Sequence, residues 1–195
     1  MSKIYFILGP SGVGKGTSID ILKKRHPEWF FPISVTTRSI RSGEKEGVVY
    51  NFVSREEFEK MIKQEKLLEF AKVHDLNFYG TLKEPIMNKI KEGRTVIREI
   101  DIQGFLQARE RISKENLVSI FLHNPDLSLL EKRIKKRSKL SPTEIEQRLQ
   151  SARQEIAQMG QCDFIIESKA SDPIDFMASE IEKIVQKSEK LQKNT

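Results

Sequence analysis

The sequence contains a single cysteine and has no long hydrophobic run. Because Cys162 is alone, it cannot form an internal disulfide, which excludes a disulfide-stabilised fold and favours a reducing compartment. The apolar run over residues 3–8 ends at Gly9 and is too short for a signal peptide or a membrane span. We therefore expect a cytoplasmic protein that has no membrane partner.

Internal repeats and low-complexity segments are absent too, and the composition is that of an ordinary globular protein. Apolar residues make up 37% of the chain and charged residues 32%. A chain of 195 residues can bury a substantial core, so we expect one domain or one core with small inserted subdomains. The sequence gives no indication of the oligomeric state.

The net charge of +6 is compatible with three classes of partner: nucleic acid, an anionic membrane surface and small phosphorylated ligands. Much of the excess lies in residues 131–139 and in the lysine-rich C-terminal segment. The C-terminal segment is typical of a solvated helix end. Because the sequence offers no aromatic stacking platform, we expect no nucleic-acid partner and favour phosphorylated ligands.

Short apolar strands alternate with amphipathic helices along most of the chain. Strands are expected near residues 3–8, 30–35, 48–53, 67–73, 95–100, 117–123 and 164–168. Helices are expected near residues 17–26, 55–64, 84–92, 103–112, 126–137, 142–159 and 173–190. This alternation predicts an α/β fold whose parallel sheet is flanked by helices. Residues 34–81 and 126–150 do not fit the alternation and look like insertions.

A glycine-rich loop follows the first strand and precedes the first helix, with the sequence GPSGVGKGT over residues 9–17. Glycines let the backbone wrap around phosphates, the helix N-terminus adds a favourable dipole, and the lysine reaches the β and γ phosphates. A plain glycine turn is the alternative, which the position between strand and helix disfavours. The residues predicted to hold a triphosphate are Gly9, Pro10, Ser11, Gly12, Val13, Gly14, Lys15, Gly16 and Thr17.

One position departs from the strict phosphate-loop pattern, in which serine or threonine follows the lysine directly. Here Gly16 intervenes before Thr17. The sequence therefore does not predict direct ligation of Mg²⁺ by a loop hydroxyl. We expect Mg²⁺ to be held through phosphate oxygens and water, with Thr17 nearby and Asp101 as the anchor at the end of a strand.

A second basic segment reads SVTTRSIRSGEKEGVVYNF over residues 34–52. A solvated surface loop is the simplest interpretation. With a triphosphate loop elsewhere in the chain, however, Arg38 and Arg41 are suited to a monophosphate, because the planar guanidinium pairs with phosphate oxygens in a fixed geometry. Tyr50 and Tyr79 can each donate a hydroxyl to the same group.

Glu69 lies in the apolar segment LLEFAKV, where two interpretations are open. It is either a strand residue that faces water or a carboxylate that accepts two adjacent N–H groups from the edge of a base. Guanine offers such a pair at N1 and N2, whereas adenine does not. Ser34 and Thr81 could complete the reading of guanine by donating to O6 or N7.

The segments GPSGVGKGT, SVTTRSIRSGEKEGVVYNF, LLEF, NFYGT and EIDIQG together closely resemble guanylate kinase, over about residues 3–185. The resemblance implies a kinase that transfers the γ-phosphoryl group of ATP to GMP or dGMP with Mg²⁺. It also implies three parts: a phosphate-loop core, a strand-rich GMP-binding insertion and a helical lid. The predicted boundaries are 1–33, 82–125 and 151–195 for the core, 34–81 for the insertion and 126–150 for the lid.

The resemblance also implies roles for individual residues. Those matching GMP-binding positions are Ser34, Arg38, Arg41, Glu44, Tyr50, Glu69, Tyr79, Thr81, Glu99, Asp101 and Arg148. Those expected to act on the transferred group are Lys15, Arg38, Asp101, Arg137 and Arg148. Arg133, Arg137 and Arg148 match lid arginines and are expected to close on ATP. Arg133 and Arg137 are four residues apart and so lie on one helical face.

Two alternatives stay open beside the kinase: a non-catalytic guanylate-kinase-like binding module, and a kinase for another phosphorylated acceptor. The intact Lys15 and Asp101 disfavour the first, and the Ser34, Glu69 and Thr81 set disfavours the second. Residues 168–172 (SKASD) depart from the family pattern near the ATP base, so the donor preference is not predicted. Arg98 interrupts an apolar strand, and the sequence suggests no role for it.

Overall fold

The computed structural model describes residues 3–48, 50–73, 77–137 and 141–193. Within these ranges the strands are β1 Ile4–Leu8, β2 Ser34–Thr36, β3 Tyr50–Phe52, β4 Leu67–Val73, β5 Asn77–Leu82, β6 Val96–Glu99, β7 Leu117–His123 and β8 Phe164–Glu167. The α-helices are α1 Lys15–Arg25, α2 Arg55–Lys63, α3 Lys83–Lys91, α4 Ile102–Arg111, α5 Leu127–Arg137, α6 Pro142–Ala157 and α7 Phe176–Lys193.

The first sheet has the strand order β6-β1-β7-β8, and β8 runs parallel to β7. Every residue of β1 and of β7 is buried, as expected of central strands whose two faces are covered. Helices alternate with these strands along the chain and flank the sheet. The predicted α/β class and its helix-flanked parallel sheet are therefore confirmed.

The second sheet has the strand order β3-β2-β5-β4 and mixed pairing. Strand β2 runs parallel to β3 and antiparallel to β5, which pairs in turn with β4. A small core of Val35, Phe58 and Leu67 lies beneath this sheet. Helix α2, which contributes Phe58, begins at the predicted capping box of Ser54 and Glu57.

The chain divides into two compact units. The first unit comprises Met1–Ile4, Phe30–Val96 and Gln103–Leu117, and the second comprises Tyr5–Trp29, Ile97–Ile102 and Val118–Thr195. The second sheet lies in the first unit, and the phosphate loop lies in the second. The finer division into core, insertion and lid stays a prediction.

Several elements are shorter or shifted compared with the sequence prediction. Strand β2 begins only at Ser34, and upstream of it Phe30 forms an isolated bridge with Val96. Pro32 lies between the two and has no N–H with which to continue a ladder. The last helix begins at Phe176, three residues after Pro173. None of the helices in the described part of the chain is long and apolar enough to cross a membrane.

Candidate functional site

The loop after β1 requires glycine at specific positions. Gly9 and Gly14 have φ angles of 135° and 121°, which side chains other than glycine rarely adopt. A Cβ atom at Gly9 would also collide with the carbonyl oxygen of Leu122 on the neighbouring strand β7. The loop therefore leaves β1 in a direction that only glycine permits.

The loop leads into the N-terminus of α1, where Gly14 occupies the N-cap position and makes no side-chain hydrogen bond to the helix. The first amide groups of a helix have no partners within it, and together with the helix dipole they form a ready site for an anion. Gly16 and Thr17 are exposed in this first turn. The predicted triphosphate loop thus has the strand, loop and helix geometry that phosphate binding requires.

Lys15 lies back over the loop that precedes it. Its ammonium group donates to the carbonyl oxygens of Gly9 and Pro10, the latter at 3.2 Å. The carboxylate of Glu99 lies 3.8 Å from the same nitrogen. Two predicted site residues, Lys15 and Glu99, are therefore neighbours, and the lysine charge is held over the loop.

The candidate residues for Mg²⁺ are oxygen donors on two elements. Asp101 is exposed between β6 and α4, and Thr17 is exposed on α1. Among the described residues, no three His, Cys, Asp or Glu side chains form a group that could hold a metal by themselves. This donor set fits Mg²⁺, which is commonly held by one or two carboxylates together with nucleotide phosphates and water.

Glu155 on α6 is a carboxyl group that the sequence analysis missed. Burial raises the pKa of Glu155 to about 7, the nearby charge of Lys15 lowers this pKa, and that of Asp101 raises it. Glu155 therefore belongs to the same cluster as two predicted site residues. Helical spacing could have indicated Glu155 from the sequence, because it follows Arg148 by two turns and lies on the same face of α6.

A cavity of about 260 Å³ adjoins the phosphate loop. Its lining includes Gly12, Thr17, Arg133, Ser168, Asp172 and Met177. The segment that departs from the family pattern, residues 168–172, therefore lines this cavity. Hydrogen bonds hold this segment at both ends. Asn124 donates to the carbonyl of Ser168 at 3.0 Å, and the Lys169 amide donates to Asp172 at 2.7 Å.

The predicted lid arginines differ in their surroundings. Arg133 on α5 donates to the loop carbonyls of Gly12 and Val13 at 3.4 and 3.3 Å. Arg148 is exposed on α6. Arg137 ends α5, and its side chain lies outside the described part of the structure. Of the three, only Arg133 has a described contact with the phosphate loop.

In the first unit, Glu44 joins the two arginines of the basic segment. Arg38 donates to both carboxylate oxygens of Glu44, at 2.8 and 3.0 Å, and the backbone amide of Arg41 donates to Glu44 at 2.8 Å. The hydrogen bond from Arg38 and then that from Arg41 lower the pKa of Glu44, and the bond to Glu44 raises the pKa of Arg38. Both groups therefore stay charged.

Aromatic side chains surround the guanidinium of Arg38. Its carbon atom lies 5.3 Å from the ring centre of Tyr50 and 5.5 Å from that of Phe52. The Tyr50 and Tyr79 rings meet edge to face with centres 5.7 Å apart. Three of the four residues predicted to bind the acceptor phosphate, Arg38, Tyr50 and Tyr79, therefore form one cluster, and the side chain of the fourth, Arg41, is exposed.

Three predicted base-reading residues form one row across the second sheet. Thr81 on β5 lies opposite Ser34 on β2 and opposite Glu69 on β4. Thr81 is fully buried and Glu69 is 9% exposed, so the alternative of a water-facing Glu69 does not apply. The Thr81 hydroxyl donates to the Glu69 carboxylate at 2.5 Å and so orients it.

Comparison with known proteins agrees with this geometry. Residues 1–188 match the family model described as guanylate kinase. A guanylate kinase of Synechococcus sp. (strain JA-3-3Ab) is 43% identical over 164 residues, which cover 84% of this chain and 74% of the relative. One from Carboxydothermus hydrogenoformans is 39% identical over 182 residues, which cover 93% and 86% of the two chains.

A solved structure is similar as well. The crystal structure of guanylate kinase from Anaplasma phagocytophilum has 29% sequence identity and a TM-score of 0.70, and the match covers 95% of this chain and 85% of that one. Taken with the phosphate loop and the row of Ser34, Thr81 and Glu69, these matches establish that the chain belongs to the guanylate kinase family.

Proposed function

We propose that this protein transfers the γ-phosphoryl group of ATP to GMP, and to dGMP, giving ADP and the nucleoside diphosphate. The observation that carries the proposal is the row of Ser34, Thr81 and Glu69, because it ends in a buried carboxylate beside the Thr81 hydroxyl, with Ser34 on the far side of Thr81. A buried carboxylate requires donors, and guanine supplies two adjacent N–H groups where adenine supplies none. The row therefore selects guanine.

The phosphate of the acceptor would bind to Arg38 and Arg41, assisted by the hydroxyl groups of Tyr50 and Tyr79. The contacts that support this role are those of Arg38, which Glu44 holds in place from one side and the aromatic rings of Tyr50 and Phe52 from the other. A guanidinium fixed in this way can pair with a phosphate with little further loss of side-chain entropy.

The donor triphosphate would bind to residues 9–17, with its negative charge met by Lys15 and by the amide groups at the start of α1. When bound, Mg²⁺ would neutralise phosphate charge and orient the γ-phosphoryl group. Asp101 is the proposed anchor for the ion, Glu155 lies near Asp101, and Thr17 would approach the ion from the first turn of α1. Glu99 would hold Lys15 in position through their 3.8 Å contact.

Transfer from ATP to GMP needs no general base, because the acceptor oxygen is already an anion. The obstacle is repulsion between the two phosphates, which Lys15 and Arg38 would reduce. Arg133, Arg137 and Arg148 would add charge at the transferring group, where arginines are worth about 10³ to 10⁵ in rate in related enzymes. The contact of Arg133 with the loop carbonyls supports this assignment.

The test is ADP formation from Mg-ATP with GMP, dGMP, AMP, CMP and UMP offered separately, in the wild type and in Lys15→Ala. Turnover only with GMP and dGMP, lost in Lys15→Ala, is expected. Lys24→Ala is a matched control, because Lys24 is an exposed lysine on the same helix. Turnover with a different acceptor would assign another substrate, and GMP binding without turnover would identify a binding module.

The proposed setting is the cytoplasm, with free nucleotides as partners rather than nucleic acid or a membrane. Support comes from the lone Cys162 and from the positions of Arg38 and Arg133, two of the basic residues, beside the proposed phosphate sites.

A further inference from the structure

Strand β4, which carries Glu69, is an edge strand of the second sheet and contains a β-bulge. The ladder to β5 steps from Leu67 opposite Leu82 to Glu69 opposite Thr81, so Leu68 has no opposite residue. A bulge redirects the side chains that follow it. Whether Glu69 points to the base-reading row therefore depends on the bulge being kept at Leu68.

Two side chains of α4 bind the outer backbone edge of β4 on either side of Glu69. Arg111 donates to the carbonyl oxygen of Leu68 at 2.8 Å. Gln107 accepts from the amide of Phe70 at 3.3 Å and donates to the carbonyl of the same residue at 3.0 Å. Both neighbours of Glu69 in the chain are thus hydrogen-bonded to one helix.

The geometry of α4 suits this role. Gln107 and Arg111 are four residues apart and therefore lie on one face of the helix. The Arg111 guanidinium also lies over the ring of Phe70, 5.9 Å from its centre. The side-chain amide of Gln107 bonds to both the N–H and the C=O of Phe70, which are the groups that a neighbouring strand would otherwise pair with.

We propose that Gln107 and Arg111, here called the β4 clamp, are positioning residues that set the base specificity of the enzyme by holding the bulged register around Glu69. Without the clamp, Leu68 and Phe70 lose their outer hydrogen bonds and β4 can slip at the bulge. A slip moves the Glu69 carboxylate away from Thr81 and changes its distance from the base edge. This inference rests on the proposed reading of guanine by Glu69.

The test compares GMP with inosine monophosphate, which lacks the 2-amino group and so offers one N–H fewer to Glu69. Arg111→Ala is expected to raise the KM for GMP about tenfold and to lower the preference for GMP over inosine monophosphate about fivefold. The KM for ATP should change by less than about twofold, because the clamp bonds to β4 and not to the phosphate loop.

Arg111→Lys should recover most of the preference, since an ammonium group can still donate to the Leu68 carbonyl. Arg109→Ala is the matched control, because Arg109 is an exposed arginine on the same helix, and it should behave as the wild type. Equal losses with GMP and inosine monophosphate, or no recovery in Arg111→Lys, would show that Arg111 only stabilises the fold.

Glu69→Gln, measured in parallel, separates the two proposals. If Glu69→Gln leaves the preference for GMP unchanged, the reading of guanine by Glu69 is wrong and the clamp inference is overturned with it. If Glu69→Gln removes the preference and Arg111→Ala keeps it, only the clamp inference is overturned.

Gln107→Glu decides the question if Arg111→Ala does not fold. The new carboxylate can still accept from the Phe70 amide but repels the Phe70 carbonyl, so the preference should fall about threefold. An unchanged preference in a folded Gln107→Glu would overturn the inference.

Discussion

A single carboxylate, that of Glu44, organises both arginines of the proposed acceptor site. It accepts from the side chain of Arg38 and from the backbone of Arg41. The resemblance to guanylate kinase marked Glu44 as a site residue, but the local sequence gives no reason for it. The contacts supply that reason: Glu44 fixes the loop from which two guanidinium groups project.

Glu155 shows the opposite case, because helical spacing indicates its face of α6 but not the charged groups around it. Its pKa is raised mainly because the carboxyl group is buried, and its two charged neighbours, Lys15 and Asp101, are more than fifty residues away in the sequence. Periodicity along α6 can predict which face Glu155 occupies. It cannot predict what that face meets.

We expect Glu155 to make stability depend on pH. A carboxyl group with a pKa near 4.5 unfolded and about 7 folded holds its proton only in the folded protein between these values. Stability should therefore fall as pH rises from about 4.5 to about 7, by about 1–2 kcal/mol after allowance for partial exposure.

The measurement for Glu155 is urea unfolding at several pH values with EDTA present. Glu155→Gln should remove this fall, whereas Glu146→Gln, an exposed glutamate on the same helix, should keep it. The same pH slope in wild type and Glu155→Gln would mean that the group titrates normally.

At the scale of elements, the strand, loop and helix of residues 4–25 were predictable because each part has its own signal. An apolar run, a glycine cluster and helical spacing follow one another without overlap. The bulge in β4 was not predictable in the same way. Simple alternation puts Leu67 and Glu69 on one face, yet they pair with the consecutive residues Leu82 and Thr81, which face opposite sides of the sheet, because the bulge shifts the register between them.

Gly9→Ala tests whether the loop requires glycine at position 9. The new methyl group would meet the Leu122 backbone at a φ angle that alanine resists, so we expect a loss of about 2–4 kcal/mol in the free energy of unfolding. Gly16→Ala is the matched control for stability, because its new methyl group would have no neighbouring atom within 4 Å. Urea unfolding measures both, and equal stability of the two variants would contradict the close approach of Gly9 to the Leu122 backbone.

At the scale of the whole molecule, most residues proposed for each substrate fall in one compact unit, although the predicted GMP-binding residues Glu99, Asp101 and Arg148 lie in the second unit. The proposed base-reading residues of the second sheet lie in the first unit together with Arg38 and Arg41, and the phosphate loop with its cavity lies in the second. The resemblance predicted the nucleotide sites and the α/β fold. It did not predict which helix supports which strand, because such contacts depend on packing between distant parts of the chain.

This division predicts a pattern of amide hydrogen exchange. GMP alone should slow exchange in residues 34–48 and 67–73, and a non-hydrolysable ATP analogue alone should slow it in residues 9–17 and 168–177, since a ligand stabilises the region that it contacts. AMP serves as the control for GMP and should leave residues 67–73 unchanged. Protection of residues 34–48 by the ATP analogue alone would contradict the assignment of the two sites.

The clamp on β4 has a consequence for the solubility of the protein. An edge strand whose outward amide and carbonyl groups lack partners can pair with the edge of another molecule and begin aggregation. Beside Glu69, the amide and carbonyl groups of Phe70 already bond to Gln107, and the carbonyl of Leu68 bonds to Arg111. The bulge also interrupts the straight edge that a second strand would need. The strand proposed to read the base is therefore also protected, around Glu69, from pairing with the edge of a second molecule.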